Sequence, residues 1–209
     1  MITTKRIVVG PMEANCFIVH DEATGRCAII DPGSMNDALC DAIEEAGADK
    51  FDYILLTHCH FDHVGAVCRV KDLIDVPVAI HKDDADGLRD PYMNLSGPLG
   101  GRKTIYPEAD IRWTDNQTFR LGETEFTVLH TPGHTAGSCC YRTEGVIFAG
   151  DTLFYESVGR TDFPGGSMRQ MRESLERLLG LEGDYLVYTG HYQHTTLSHE
   201  RECNPYIHL

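Results

Sequence analysis

The chain has no apolar run near the roughly 20 residues that a membrane-spanning helix requires, and its opening stretch, Met1 to Val9, lacks the core and cleavage site of a secretory leader. A cytoplasmic location is expected, with no membrane partner. Basic residues are scarce: 18 Lys and Arg stand against 32 Asp and Glu, a formal net charge of -14. Phosphate contacts need clustered cations, so no nucleic-acid partner is expected. The eight cysteines (16, 27, 40, 59, 68, 139, 140 and 203) include no C-x-x-C pair, which predicts reduced, mostly buried thiols. A G-x-S-x-G elbow is also missing, so no serine nucleophile of that type is indicated. No repeat, low-complexity tract or charge block divides the 209 residues, and one domain over 1–209 is expected.

What the sequence does contain is 42% apolar residues, laid out as short runs bounded by Gly, Pro or Asp and alternating with longer amphipathic stretches. That pattern predicts a mixed α/β protein. Strands are expected over Arg6 to Val9, Cys16 to His20, Cys27 to Ile30, Tyr53 to Leu56, Val78 to Ile80, Glu125 to His130, Cys139 to Arg142, Val146 to Ala149 and Tyr185 to Tyr188. Helices are expected over Met35 to Glu45, Val64 to Leu73, Lys82 to Leu88, Ser167 to Leu179 and Leu197 to Cys203. Asp90 to Pro107 reads as a long loop, which in a compact domain is usually functional or mobile.

The densest chemistry is Thr57-His58-Cys59-His60-Phe61-Asp62-His63, directly after the apolar run Tyr53 to Leu56. In an extended strand exit, alternation turns His58 and His60 to one side and Cys59 to the other. A following helix would add Asp62 and His63 at its N-terminus. Three further groups sit at strand exits: His134 in Thr131-Pro132-Gly133-His134-Thr135, Asp151 in Gly150-Asp151-Thr152, and His191 in Thr189-Gly190-His191. Five histidines and two aspartates suit two borderline transition metals better than Ca²⁺ or Mg²⁺, which prefer oxygen. Zn²⁺ is the first choice, with Fe or Mn as alternatives. Metal one would take His58, His60 and His134; metal two would take Asp62, His63 and His191; Asp151 would bridge them. His20, His81, His130, His194, His199 and His208 form no such pattern and read as surface or core residues.

The order T-H-x-H-x-D-H, T-P-G-H-T, G-D-T-L-F and G-H resembles the metallo-β-lactamase superfamily and, within it, glyoxalase II-type metallohydrolases. Gly159 to Gly166, Val9-Gly10-Pro11 to Asn15-Cys16, and Ile30-Asp31-Pro32-Gly33 are similar to short bacterial members. The resemblance implies a four-layered αββα sandwich with the metals at one edge of its paired sheets, and the same seven ligands. It also implies hydrolysis of a small-molecule acyl thioester by a metal-bridging hydroxide, with Asp62 and Asp151 as catalytic carboxylates. Two cations about 3.5–4 Å apart would lower the pKa of the bridging water. His63 after Asp62 argues against a β-lactamase, whose usual motif lacks it.

Two departures bear on the substrate. Long glyoxalase II chains end in a helical domain that helps hold glutathione, whereas about 18 residues follow His191 here, enough for one short helix. Tyr192-Gln193-His194 replaces the small residues usual after the last ligand, making Tyr192 a candidate substrate-binding residue. Persulfide dioxygenases resemble the same branch and would hold one Fe(II) on His58, His134 and Asp151. Lactone or phosphodiester hydrolysis is the other alternative. Oligomeric state stays open at this point.

Overall fold

The computed structural model describes residues 1–207; His208, read from the sequence as a surface or core residue, lies outside the described residues. Short apolar runs become two six-stranded sheets. In the first, β1 (Ile2–Val9), β2 (Ala14–Asp21), β3 (Cys27–Ile30), β4 (Phe51–Leu55), β5 (Val78–His81) and β6 (Ile111–Trp113) lie side by side in chain order. Pairing is antiparallel from β1 to β3 and parallel from β3 to β6. The second holds β7 (Thr118–Leu121), β8 (Thr124–His130), β9 (Cys139–Thr143) and β10 (Val146–Gly150), followed across the sheet by β13 (Leu186–Thr189) and β14 (Thr195–Thr196). Between β10 and β13 the chain makes a small hairpin, β11 (Leu153–Phe154) and β12 (Ser157–Val158). Helices α1 (Asp37–Ala46), α2 (Phe61–Val64), α3 (Val67–Leu73), α4 (Lys82–Ala85), α5 (Met168–Leu179) and α6 (Leu197–Cys203) complete the fold.

Strand alternation sorts the apolar side chains into three layers. In β3, Cys27 and Ile29 face Leu39, Ile43, Val67 and Val70 of α1 and α3, while Ala28 and Ile30 face the other sheet. The inter-sheet layer is aromatic, with Phe17, Trp113, Phe119, Phe126, Tyr141 and Phe148 packed together. On the outer face of the second sheet, Leu129, Ile147 and Val187 meet α5. Ser167 caps that helix by accepting from the Gln170 N–H, and Met171, Ser174, Leu175 and Leu178 bury one stripe at three- and four-residue spacing. Full burial of each apolar member contributes about 1.5–3 kcal/mol. Helix, sheet, sheet and helix thus stack as the four-layered αββα sandwich that the resemblance implies.

Several boundaries differ from expectation for local physical reasons. The helix expected over Val64 to Leu73 is split into α2 and α3 at Ala66 (φ -97, ψ 1), whose N–H donates to the Pro32 carbonyl at 2.8 Å and not back along the helix. The Lys82 to Leu88 helix is one α turn that tightens into a 3₁₀ turn over Asp86–Arg89. Strands β6, β7, β11, β12 and β14 are additions of two to four residues, too short to show a period. The Asp90 to Pro107 loop is pinned: Asn94 Nδ2 donates to the Leu88 and Thr104 carbonyls at 3.2 Å each, and the Asn94 carbonyl accepts from the Phe61 N–H at 2.8 Å. All eight cysteines are free, five of them buried. Among the described residues no helix is long and apolar enough to cross a membrane.

The two sheets also meet through histidine rings. His81 at the end of β5, 1% exposed, stacks on His130 at the end of β8, with centroids 3.9 Å apart and 10° between planes. Burial first, then His130, push His81 down to about 4, against the pull of Asp83. The unfolded chain takes up this proton near pH 6.5, so stability is full above that pH and falls as pH drops toward 4. By about pH 5 the loss should reach about 2 kcal/mol. His81→Leu should remove this share of the pH dependence. Urea unfolding of both proteins at about pH 7 and pH 5 checks it: parallel losses would assign the acid sensitivity elsewhere.

Candidate metal centre

The strand exits of both sheets open on the same edge of the sandwich, and there the structure brings together all seven side chains read from the sequence. His58 and His60 follow β4, Asp62 and His63 sit in α2, His134 in the turn after β8, Asp151 directly after β10, and His191 after β13. Ligand atoms of His58, His60 and His134 lie within 4.8 Å of one another, as do those of Asp62, His63 and His191. Asp151 touches both groups: its Oδ2 is 3.5 Å from His134 Nε2 and 3.6 Å from His191 Nε2, and its Oδ1 is 3.4 Å from His63 Nε2. Asp62 Oδ2 lies 3.4 Å from His191 Nε2 and 3.8 Å from His63 Nε2. Cys59 faces the core beneath the site, as alternation requires.

Four of the five imidazoles are held by the nitrogen that faces away from the centre. Nδ1 of His58 meets Thr57 Oγ1 at 3.0 Å, that of His63 meets Asp31 Oδ2 at 3.0 Å, that of His134 meets the Arg160 carbonyl at 2.7 Å, and that of His191 meets the Met12 carbonyl at 3.1 Å. Such outer contacts fix both tautomer and ring direction, leaving Nε2 aimed inward. His60 instead turns Nδ1 toward His134 Nε2 at 2.8 Å. His58 Nε2 and Asp151 Oδ1 are buried and make no hydrogen bond. Buried polar atoms without partners are rare, and these two fit the inner faces of a metal site.

Asp31 is the main residue that sequence reasoning missed. Its carboxylate accepts from the Thr57 N–H at 2.8 Å, the Thr57 hydroxyl at 2.6 Å and His63 Nδ1, so one buried group orients two imidazoles, one of them through Thr57. It too stands at a strand exit, after β3, which was the available signal. Asp84 plays a similar part by accepting from the Cys59 and Gly137 N–H groups and the Thr135 hydroxyl, tying the His58–His60 segment to the His134 turn. Close approach demands glycine at two places. Gly150 has φ +48 and packs on Thr57, and a Cβ on Gly190 would fall on the Asp151 carboxylate. The Gly159 to Gly166 stretch supplies the Arg160 carbonyl and Phe163, whose ring meets His60 edge-on at 5.8 Å.

Charge is distributed unequally over the site. Burial, reinforced by neighbouring imidazoles, pushes His58 and His60 well below the usual histidine range. His63 is pushed up to about 10: burial opposes, but Asp151, Asp62 and Asp31 together prevail. His191 is raised for like reasons, burial being outweighed by Asp62 and Asp151. Asp62 is held well below the carboxylate range, with burial opposing and His63 and His191 prevailing. A centre with this much negative charge beside basic imidazoles is built for cations.

Above these groups lies a cavity of about 490 Å³, walled by Met12, Leu95, Leu99, Phe154, Phe163 and Tyr192, with Arg160 its only Lys or Arg among the described residues. Tyr192 is 71% exposed at φ 62, its carbonyl accepting from Asn15 Nδ2 at 3.0 Å and its ring edge-on to Phe154 at 5.9 Å. Gln193 and His194 do not line the cavity.

Comparison with known proteins gives a consistent frame. The chain is 35% identical to the probable metallo-hydrolase YqgX of Bacillus subtilis, over 97% of this chain and 96% of that one. It is 32% identical to the hydroxyacylglutathione hydrolase GloC of Haemophilus influenzae, over 96% of each. Among solved structures, BLEG-1 B3 metallo-β-lactamase superposes with a TM-score of 0.91 at 36% identity, covering 98% of this chain and 99% of that one. TTHA1623 in a di-iron-bound form gives 0.83 at 33% identity, covering 97% and 99%. ETHE1 from Myxococcus xanthus gives 0.78 at 25% identity, covering 97% and 83%. Likeness to a B3 metallo-β-lactamase at this level removes the argument that His63 sets the chain apart from β-lactamases. The family model for the metallo-β-lactamase superfamily matches residues 9–191, a span that ends on the last of the seven converging side chains, and the chain belongs to that superfamily, whose members are mostly metal-dependent hydrolases.

Proposed function

We propose that this chain is a binuclear metallohydrolase whose substrates are small acyl thioesters. The observation that carries the reading is the contact of one carboxylate, Asp151, with both triads. His58, His60 and His134 would hold one ion, Asp62, His63 and His191 the other, and Asp151 both. Two bound divalent cations supply an acidified water at neutral pH and electrophilic assistance to a carbonyl. Asp62, which lines the cavity, would orient the attacking water by accepting its hydrogen bond. The apolar walls exclude bulk water from the acyl group, and Arg160 at the cavity is paired with Asp162 through Nε at 2.9 Å and Nη2 at 2.7 Å, so a substrate carboxylate would have to share or displace that partner. Zn²⁺ suits the His-rich donor set, and the di-iron relative supports iron as the alternative.

Elemental analysis with oxygen-controlled kinetics tests this. About two equivalents of metal and thioester hydrolysis under anaerobic conditions are expected. One iron with O₂ uptake on glutathione persulfide would select the dioxygenase reading, and faster turnover of β-lactams or lactones than of any thioester would move the substrate class.

Tyr192 should act on selectivity. Its left-handed backbone is held by Asn15 and strains any side chain, so Tyr192→Gly relaxes the conformation and should fold at least as well. Across thioesters of three or four different thiol carriers, kcat/KM should change unequally, by about tenfold between extremes, with metal content intact. A uniform change would mean that the tyrosine selects nothing.

A further inference from the structure

The β11–β12 hairpin contributes Phe154, Ser157 and Val158 to the cavity wall, turns at Glu156 and is hydrogen-bonded there to α6. At the turn, Glu156 Oε1 lies 3.1 Å from Nε2 of His199 on α6. Cys203 is four residues further along the helix, so its thiol projects from the same face as the imidazole. Ligand atoms of the three lie within 4.8 Å of one another, although their residues come from two separate elements.

The surroundings hold this geometry in place. Glu200, 0% exposed, accepts the Glu156 N–H at 3.2 and 3.0 Å and the Thr195 hydroxyl at 2.5 Å. Asn204 donates to the Ser157 carbonyl at 3.1 Å and to Glu200 at 2.8 Å, fastening the hairpin to the helix on the other side. Tyr155 stacks on the His199 ring at 4.8 Å and 18°, which sets the imidazole plane. A hydrogen-bonded Glu–His pair alone would require none of the thiol placement.

We propose that Glu156, His199 and Cys203 form a third divalent-metal site, distinct from the seven-residue centre, that takes a borderline cation of the Zn²⁺ class. A thiolate, an imidazole and a carboxylate are the mixed donors that such ions accept, whereas Ca²⁺ and Mg²⁺ require oxygen. Binding displaces the thiol proton, and the exposure of Glu156 and Cys203 leaves a fourth position to water. An ion there clamps the hairpin to α6. Because Phe154 of the same hairpin lies 6.0 Å from the His191 ring and 5.9 Å from that of Tyr192, occupancy fixes the wall of the cavity.

Cobalt titration of the metal-loaded protein under a non-chelating reductant tests the site. The seven-residue centre contains no cysteine, so a near-ultraviolet thiolate-to-cobalt absorption cannot come from it, and loss of the band in Cys203→Ser assigns it to the third site. The band should saturate at one equivalent, be displaced by Zn²⁺ and disappear in Cys203→Ser. His199→Gln should weaken cobalt binding by about tenfold or more, and Cys68→Ser, at an exposed cysteine elsewhere, should change nothing. No such band in the unaltered protein, or the same band in Cys203→Ser, overturns the proposal.

Discussion

Replacing Asp151 by alanine is expected to abolish thioester turnover and to strip metal from both positions. One carboxylate reaches His134 on one side and His63 and His191 on the other, so its loss removes a donor from each ion and the charge that keeps two cations together. Loss of an outer contact alone typically costs 10–100-fold in metal affinity, and loss of a shared donor should cost at least about 100-fold at each position. His191→Ala, by contrast, should empty mainly the second position. Elemental analysis after dialysis against a weak chelator separates the two variants. Two retained ions and near-normal turnover in Asp151→Ala would make the bridging assignment wrong.

Asp31→Ala should be the most damaging change at a residue that faces no substrate. It leaves the Thr57 N–H, the Thr57 hydroxyl and His63 Nδ1 buried without their acceptor, at a cost of about 3–5 kcal/mol. Asp31→Asn separates folding from positioning. Asparagine tolerates the φ of 51 and can still accept from Thr57, but its amide cannot serve Thr57 and accept from His63 as well. The expected result is a melting temperature close to normal, with second-position metal affinity lowered about 10–100-fold in chelator competition. Unchanged affinity in Asp31→Asn would reduce Asp31 to a packing role.

The legibility of the site followed chain locality. His58, His60, Asp62 and His63 stand within six consecutive residues, where strand alternation and one helical turn fix their directions, so their convergence could be read directly. His134, Asp151 and His191 were legible only because each ends an apolar run. The same rule would have picked out Asp31, but a strand exit alone does not distinguish a carboxylate that points inward as a ligand from one that points sideways as a holder, and the 3.0 Å to His63 Nδ1 decides which. Carbonyls of Met12 and Arg160 carry no side-chain signal whatever. In the fold, alternation exposed the long strands, whereas β6 and β7 are placed by the partners they pair with, β5 and β8, and not by their own three or four residues. The break at Ala66 depends on a backbone carbonyl 34 positions earlier, that of Pro32, which no local period encodes.

The wide separation of the converging side chains also sets a timetable for synthesis. His60 and His134 meet across 74 positions, and His63 and His191 across 128. A chain emerging from the ribosome therefore lacks the first triad until residue 134 has appeared, and the second until residue 191. Two of the second sheet's six strands, β7 and β8, precede His134, and five precede His191. Completion of both triads is consequently late in synthesis, and a nascent first half offers a cation the His58 to His63 cluster and Asp31 without His134, Asp151 or His191.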